Sequence, residues 1–490
     1  METSEKTTKD IFEVCLKLAE QGDADFQNNL GHMYYYGQGV PQNFEEAAKW
    51  YMKAAEQNVA DAQTRLGAMY ANGQGVPQNY CEAVKWYEKA AELGEIHAQN
   101  NLGIAYANGQ GVSQNYEEAV KWYRKAAEQG YAPSQNSLGL RYFKGEGVQQ
   151  NYEEAMKWYR KSAEQGDPDA QNNLGIMYLN GLGTPQNFED AAKWYTKAAE
   201  QGHAEAQYNL GIMYFRGDGV QQNYDESEKW LSKAAEQGIN DAKPLVVKII
   251  IMKNLKLAEQ GDPDAQNFVG DIYYNGKWVP QNYEEAAKWY LKAAEQGDAG
   301  AQNNLGRMYF YGEGVPQNSE EALKWYLNAA KQGRAVAQNN AATMYVGGQG
   351  IPQNFDEAFK WFAKAAEQGY AQAQNELGIM YLSGEGCTQN DEEAVKWLRQ
   401  SAEQGYAPAQ CNLGRMYYQG EGTPQNYGEA VKLFKMSAEQ GYARAQYILG
   451  MIYVEGKIVP QNNEEAVKWL RKAAVQGYEP AKDMLRKPGE

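Results

Sequence analysis

The chain has 490 residues, 12% of them aromatic, and carries a formal net charge of −16. The aromatic content argues against a disordered chain, and an acidic surface repels phosphate groups, so we expect no nucleic-acid partner. The most apolar stretch, residues 246–252, is too short to span a bilayer, which predicts no membrane insertion.

The four cysteines, at positions 15, 81, 387 and 411, show no pairing rhythm and no Cys-x-x-Cys motif. We therefore expect them to be reduced, as in a cytosolic protein. The first residues lack the apolar segment of a signal peptide. Both features predict a cytoplasmic location, with secretion by a route that needs no N-terminal signal peptide as the alternative.

In chain order, residues 1–22 form an N-terminal tail with a starting half-unit, and a periodic pattern follows. A Leu-Gly pair first occurs at Leu30-Gly31 and returns every 36 residues as far as Leu210-Gly211. It resumes at Val269-Gly270 and continues to Leu449-Gly450. Fixed periods of this length are typical of stacked helical repeats. We predict an array of six repeats over 23–238, a shortened degenerate repeat over 239–261, a second array of six over 262–477, and a partial C-terminal capping helix with a tail over 478–490.

One repeat illustrates the pattern. Asp167 can cap a first helix, which Gly181 ends, and a loop then leads to Asn187. Asn187 caps a second helix that ends before Gly202. Aspartate and asparagine are preferred N-caps, and glycine is the usual residue after a helix. Apolar residues recur at helical spacing in both helices, so each repeat is predicted to be a helix–turn–helix unit that stacks on its neighbours.

Three segments together resemble a known family. They are the Leu-Gly pair in the first helix, the Gly-x-Gly-Val-Pro-Gln-Asn loop, and the second helix Ala-x-Lys-Trp-Tyr-x-Lys-Ala-Ala-Glu-Gln-Gly. The pattern resembles Sel1-like repeats, which are related to tetratricopeptide repeats, over roughly residues 23–485. The resemblance implies an all-α, right-handed α/α superhelical solenoid. It also implies a scaffold or adaptor for protein–protein interaction, in bacteria including host-interaction and signalling proteins.

Two places depart from the repeat pattern. Residues 239–261 have lost the loop and the Trp-Tyr pair, which predicts either a hinge between two binding surfaces or a decayed repeat packed rigidly in line. In the loop that follows Val269-Gly270, Trp278 replaces the second glycine. This residue is either an exposed anchor for a partner or a side chain packed on its own loop.

The sequence contains little that suggests catalysis. His32, His97 and His203 occupy three different repeat positions in separate repeats, so we expect no metal cluster. No nucleophile with a base is evident, and the Gly-x-Gly motifs follow helices rather than strands, unlike nucleotide fingerprints. We therefore predict no enzyme activity, cofactor or metal, although a cluster assembled from distant repeats stays open.

By analogy with tetratricopeptide repeats, the first helices line a concave groove. Asparagine recurs two residues before the Leu-Gly pair, where it could bind the backbone of an extended peptide. The alternative is that these asparagines bond to neighbouring helices. Other positions expected to face the groove carry aromatic or arginine residues, which are common interface anchors, although such variation is also found on ordinary surfaces. The candidate partner-binding residues are Asn267, Asn303, Asn339, Asn375, Arg307, Phe310, Tyr311, Arg415 and Tyr418.

The predicted function is therefore binding of a protein or peptide partner by a monomeric scaffold. The second hypothesis is a carbohydrate- or cell-envelope-directed enzyme, or a regulator of one, because tyrosine-rich grooves can stack on sugars. The two differ in the groove: sugar binding requires aromatic residues beside carboxylates, whereas peptide binding uses the asparagines.

Overall fold

The computed structural model describes residues 2–485. Over that range the chain forms 27 α-helices and no β-strand. The predicted all-α solenoid of 36-residue helix–turn–helix repeats is confirmed. Met1 and residues 486–490, the end of the expected C-terminal tail, lie outside the described residues.

The chain divides into two compact units, Met1–Ile250 and Ile251–Glu490, and the boundary falls within helix α14. The first unit contains α1 (Glu2–Glu20), α2 (Ala24–Tyr36), α3 (Phe44–Glu56), α4 (Ala60–Asn72), α5 (Tyr80–Glu92), α6 (Ile96–Asn108), α7 (Tyr116–Glu128), α8 (Ala132–Lys144), α9 (Tyr152–Glu164), α10 (Pro168–Asn180), α11 (Phe188–Glu200), α12 (Ala204–Arg216) and α13 (Tyr224–Glu236). The boundary helix is α14 (Ala242–Glu259). The second unit continues with α15 (Pro263–Asn275), α16 (Tyr283–Glu295), α17 (Ala299–Tyr311), α18 (Ser319–Lys331), α19 (Ala335–Gly347), α20 (Phe355–Glu367), α21 (Ala371–Ser383), α22 (Asp391–Glu403), α23 (Ala407–Gln419), α24 (Tyr427–Glu439), α25 (Ala443–Glu455), α26 (Asn463–Val475) and α27 (Glu479–Leu485).

Local capping residues set the helix ends, as the sequence predicts. The Asp167 carboxylate accepts a hydrogen bond from the backbone N–H of Ala170 at 2.7 Å, at the start of α10. Gly181 ends that helix with φ of 67°, a left-handed conformation that favours glycine. Asn187 starts α11 by accepting from the N–H of Asp190 at 3.1 Å. The repeat length therefore follows from caps that recur along the chain.

Within a repeat, the glycine of the Leu-Gly pair allows the two helices to approach closely. A Cβ added at Gly175 would lie 2.7 Å from the ring of Tyr195, which is fully buried. No real Cβ contact is that short, so any larger residue would push α10 away from α11. The same arrangement recurs for Gly31 with Tyr51, Gly67 with Tyr87, Gly103 with Tyr123 and Gly306 with Tyr326.

The hydrophobic cores also extend across the boundary between successive repeats. One core combines Tyr195 of α11 with Leu210 and Met213 of α12 and with Trp230 of α13. These three helices come from two successive repeats. A single repeat cannot bury its apolar face alone, so stability depends on nearest neighbours.

A second inter-repeat contact is a row of buried glutamines, three residues before the leucine position. Gln171 donates to the carbonyl of Ala163 in the preceding helix at 3.1 Å. Its own side-chain oxygen accepts from Gln201, at the end of α11 in the same repeat, at 2.8 Å. In most repeats this glutamine therefore links three consecutive helices by hydrogen bonds.

Residues 239–261, where a degenerate repeat is expected, contain the single long helix α14 in place of a helix pair. Ala242 and Ile249 belong to a core cluster of the first unit. Ala258 belongs to a cluster of the second unit with Val269. Each end of α14 is therefore part of a different core, and whether this segment acts as a hinge stays a prediction.

Candidate functional site

The asparagines that precede the Leu-Gly pair lie between the first helices of neighbouring repeats. Asn303, Asn339 and Asn375 are buried, and Asn267 is half-buried. The bonded pairs are Asn304 donating to Asn267 at 3.2 Å, Asn340 donating to Asn303 at 3.0 Å, and Asn412 donating to Asn375 at 2.9 Å. The structure therefore places Asn267, Asn303 and Asn375 in bonds to neighbouring helices, the alternative to a peptide-binding ladder. Their amides satisfy each other because successive first helices approach closely.

Asn339 departs from this pattern. It is only 2% exposed, and its side-chain oxygen has no hydrogen-bond partner among the described residues. Its expected donor is missing because Glu376 occupies the position that carries asparagine in the neighbouring repeats. Burial raises the pKa of Glu376, although a hydrogen bond from Asn375 opposes that shift. Asn339 is too deeply buried to contact a partner without rearrangement.

Arg307, Phe310 and Tyr311 form a cluster on α17. The guanidinium carbon of Arg307 lies 4.1 Å from the ring centre of Tyr274, and its Nε is buried without a hydrogen-bond partner. Tyr274 in turn donates to a carboxylate oxygen of Glu313 at 2.8 Å. Burial and this hydrogen bond raise the pKa of Tyr274 to about 12. Tyr311 is 63% exposed, so this cluster presents a large aromatic side chain to solvent.

A cavity of about 370 Å³ opens beside this cluster, between α17 and α19. We call it the α17–α19 cavity. Its space arises because α19 carries Thr343 and Gly347 on this face, where α17 carries the larger Arg307 and Tyr311. The lining residues are Phe310, Tyr311, Tyr326, Asn340, Thr343, Met344, Gly347 and Gln349.

Arg415 and Tyr418 line a separate cavity of about 250 Å³ between α23 and α25, the α23–α25 cavity. Nε of Arg415 is buried without a hydrogen-bond partner, as in Arg307. The ring of Tyr418 packs edge-on against Tyr427 at 5.4 Å. The other lining residues are Gln419, Phe434, Tyr447, Ile448, Met451, Ile452 and Glu455. The five candidates that are not asparagines therefore lie in two separate clusters of the second unit.

Comparison with known protein families identifies the family of the chain. The model of the Sel1 repeat matches the chain twelve times, at residues 24–59, 60–95, 96–131, 132–167, 168–203, 204–239, 263–298, 299–333, 335–370, 371–406, 407–442 and 443–478. The chain belongs to the Sel1 repeat family. No curated protein matches it.

Two solved structures of similar proteins are of bacterial origin. One is a protective antigen of uropathogenic Escherichia coli strains that displays an SLR fold. It is 35% identical, with 98% of each chain covered and a TM-score of 0.45. The other is a Sel1 repeat protein from Oxalobacter formigenes, 33% identical, covering 55% of this chain and 96% of that one, with a TM-score of 0.41.

The Sel1 repeats of the first unit contain one polar cluster that the sequence analysis missed. Nε2 of His32 lies 2.8 Å from a carboxylate oxygen of Asp61, which also accepts from Asn28 and Arg65. Burial acts to raise the pKa of Asp61, but the hydrogen bonds from His32 and Asn28 and the charge of Arg65 hold it well below its usual value. The two partners lie 29 residues apart, so only knowledge of how successive first helices pack could have paired them.

The other histidines also make contacts between successive first helices, and Nε2 of His203 lies 3.1 Å from a carboxylate oxygen of Asp169. His203 caps α12 by accepting from the N–H of Ala206 at 3.1 Å, and His97 packs edge-on against Tyr131. Over the described part of the chain, no group of three or more His, Cys, Asp or Glu side chains is placed to hold a metal ion. No helix in residues 2–485 is both long and apolar enough to cross a membrane.

Trp278 and the cysteines, which the sequence singles out, have these environments in the structure. Trp278 is 49% exposed, with Nζ of Lys277 5.0 Å from its ring. The four cysteines are free, and two of them, Cys15 and Cys411, are buried. Burial raises the pKa of Cys411 to about 11, so its thiol is unreactive at neutral pH.

Proposed function

We propose that this Sel1 repeat protein is a scaffold that binds partner peptides or domains on the surface formed by the first helices of its second unit. The observation that carries the proposal is the pair of open cavities between adjacent first helices, each lined by aromatic side chains. Arg415 lines one of them, and Arg307 lies on α17 one turn before Tyr311, which lines the other. Aromatic and arginine residues dominate the energetics of interfaces. These positions vary from repeat to repeat, and only the repeats of Arg307 and Arg415 carry arginine two residues after the leucine, as a specificity surface requires.

Binding is proposed rather than catalysis. The polar cluster with the most catalytic composition, His32 with Asp61, already uses its carboxylate to join two helices. The asparagines between the first helices supply the frame of the surface, while Arg307, Phe310, Tyr311, Arg415 and Tyr418 supply the contacts. We propose that the chain acts as a monomer, in which each unit retains its own surface.

Two observations concern the location of the protein, and they favour different compartments. The free cysteines support the cytoplasm, where thiols stay reduced. The Escherichia coli relative is a protective antigen, which supports the alternative of secretion and contact with a host. We propose the cytoplasmic location, with binding of a signalling partner as its setting.

The test is capture of partners from the native source on the immobilised full chain. Tyr311→Ala combined with Tyr418→Ala should abolish retention of the specific partner and weaken its affinity by about 2 kcal/mol, the size of an aromatic hot spot. Met436→Ala is the matched control, because Met436 is also a large exposed apolar residue of the second unit but lies on a second helix. Loss of binding in the Met436 variant, with retention in the tyrosine variant, would place the site on the opposite face.

A further inference from the structure

We infer that the α23–α25 cavity binds an apolar side chain of a partner segment whose adjacent Asp or Glu pairs with Arg415. This inference rests on the proposed function and specifies the chemistry of the partner at one of its two cavities.

The positive charge of Arg415 is not paired within residues 2–485. In most second helices the lysine that precedes the tryptophan position is paired with a glutamate one turn earlier, as Lys324 is with Glu321 at 3.0 Å. Arg415 has no ion-pair partner among the described residues, and its Nε is buried without a hydrogen bond. The one carboxylate that lines the cavity, Glu455, is already within 3.5 Å of Lys457. A chain with 63 acidic and 47 basic residues thus leaves this cation uncompensated.

A second arginine adds to the positive charge at this place. Arg444 lies on α25, one turn before Ile448, which lines the cavity. Arg444 is exposed and has no ion-pair partner in the described part of the chain. An anionic group from outside would therefore meet two unpaired cations, whereas a lysine or arginine would be repelled.

The α23–α25 cavity is apolar because an asparagine pair is missing there. In neighbouring repeats an asparagine pair bridges the first helices, as Asn375 and Asn412 do at 2.9 Å. At the next junction the equivalent positions hold Cys411 and Ile448. Both amides are replaced by apolar groups, so the polar bridge is absent and the space is lined by Ile448, Met451 and Phe434. Filling it with an apolar side chain removes that surface from water.

The size of the cavity selects the occupant. At about 250 Å³ it lies below the ~300–1,000 Å³ typical of small-molecule sites. One large side chain such as Leu, Met or Phe fits better than a cofactor or metabolite. With Arg415 in the wall of the same cavity, the carboxylate that pairs with it must lie close in the partner to that apolar side chain.

The probe is a library of random twelve-residue peptides selected on the immobilised full chain. Wild type should enrich peptides in which Leu, Met or Phe has Asp or Glu within a few residues. Arg415→Gln should weaken the winning peptide by at least about tenfold, because a partly buried charge pair loses one member. Arg415→Glu should instead bind better to the same peptide with its acidic residue changed to lysine. Arg471→Gln, an exposed arginine on the second helix α26, is the matched control and should bind as wild type does.

Circular dichroism of each variant excludes unfolding as the cause. Enrichment of basic or purely apolar peptides, no enrichment at all, or equal affinity in Arg415→Gln and wild type would overturn this inference. If the selected peptides are basic, but the Tyr311 and Tyr418 variants no longer bind them, this inference is wrong and the proposed function stands. Peptides that bind all variants equally would reject the proposed surface as well.

Discussion

At the scale of single residues, the buried glutamines show how one substitution leaves an unpaired polar atom. In most repeats the side-chain oxygen of this glutamine accepts from a glutamine 30 residues later, as Gln99 does from Gln129 at 2.8 Å. Gln63 is fully buried, and its oxygen has no partner in the described structure, because Leu93 stands where the donor should be. An unsatisfied buried acceptor costs about 1–3 kcal/mol.

Leu93→Gln should therefore raise the free energy of unfolding of the first unit by ~1 kcal/mol. Little apolar burial is lost, because Leu93 is 56% exposed. Urea unfolding followed by circular dichroism measures the change. The matched control is Gln129→Leu, which creates the same unpaired oxygen at Gln99 and should lower stability by a similar amount. If both changes are neutral, the glutamine row contributes nothing to stability.

At single residues, the sequence predicts local contacts but not contacts between repeats. The caps at Asp167, Gly181 and Asn187 depend on residues two to four positions away, so the sequence predicted them correctly. The environments of Asn303 and Arg307 depend on side chains from the neighbouring repeats, Asn340 and Tyr274. Their positions on the first helix were predictable, but their exposure depended on the distance between helices, which the periodicity alone does not specify.

At the scale of the helix pair, the glycine of the Leu-Gly motif sets how closely the first helix approaches the second. The repeat at 335–370 is informative, because Ala341-Ala342 replaces the Leu-Gly pair there and Phe362 replaces the tyrosine. The extra methyl group of Ala342 is thus accompanied by the loss of the leucine side chain beside it. The sequence predicted the close approach of the helices, whereas the ring contact of Tyr195 with Gly175 required the structure.

Gly175→Ala should destabilise the protein by about 1–3 kcal/mol, because its Cβ would meet the Tyr195 ring in a full core. Gly347→Ala is the control from another first helix, where the nearest atom to the added Cβ is 3.7 Å away. There the substitution should be neutral or stabilise by up to about 1 kcal/mol, since alanine favours helix more than glycine. Equal effects in urea unfolding would show that the close contact is unimportant.

At the scale of the whole molecule, helix α14 is the element that takes part in the cores of both units. The cores in the arrays join two or three successive repeats, so coupling along the chain passes from neighbour to neighbour. The sequence predicted two arrays from the loss of the Trp-Tyr pair in residues 239–261. The sequence analysis did not predict that one long helix would replace the degenerate repeat, although that segment lacks the loop glycines that end first helices elsewhere.

Each unit should therefore fold alone when it keeps α14. Fragments 1–259 and 242–490 both retain that helix, so Ile249 can complete the core of the first and Ala258 that of the second. Both should be helical by circular dichroism and show cooperative urea unfolding.

Gly175→Ala should lower the midpoint of fragment 1–259. In the full chain, hydrogen exchange should show lost protection in the first unit and unchanged protection over residues 263–485. Coupling decays over each intervening repeat interface, which is why the second unit should not respond. An unfolded fragment 242–490, or equal loss of protection from α2 to α27, would mean that the chain unfolds as one cooperative array.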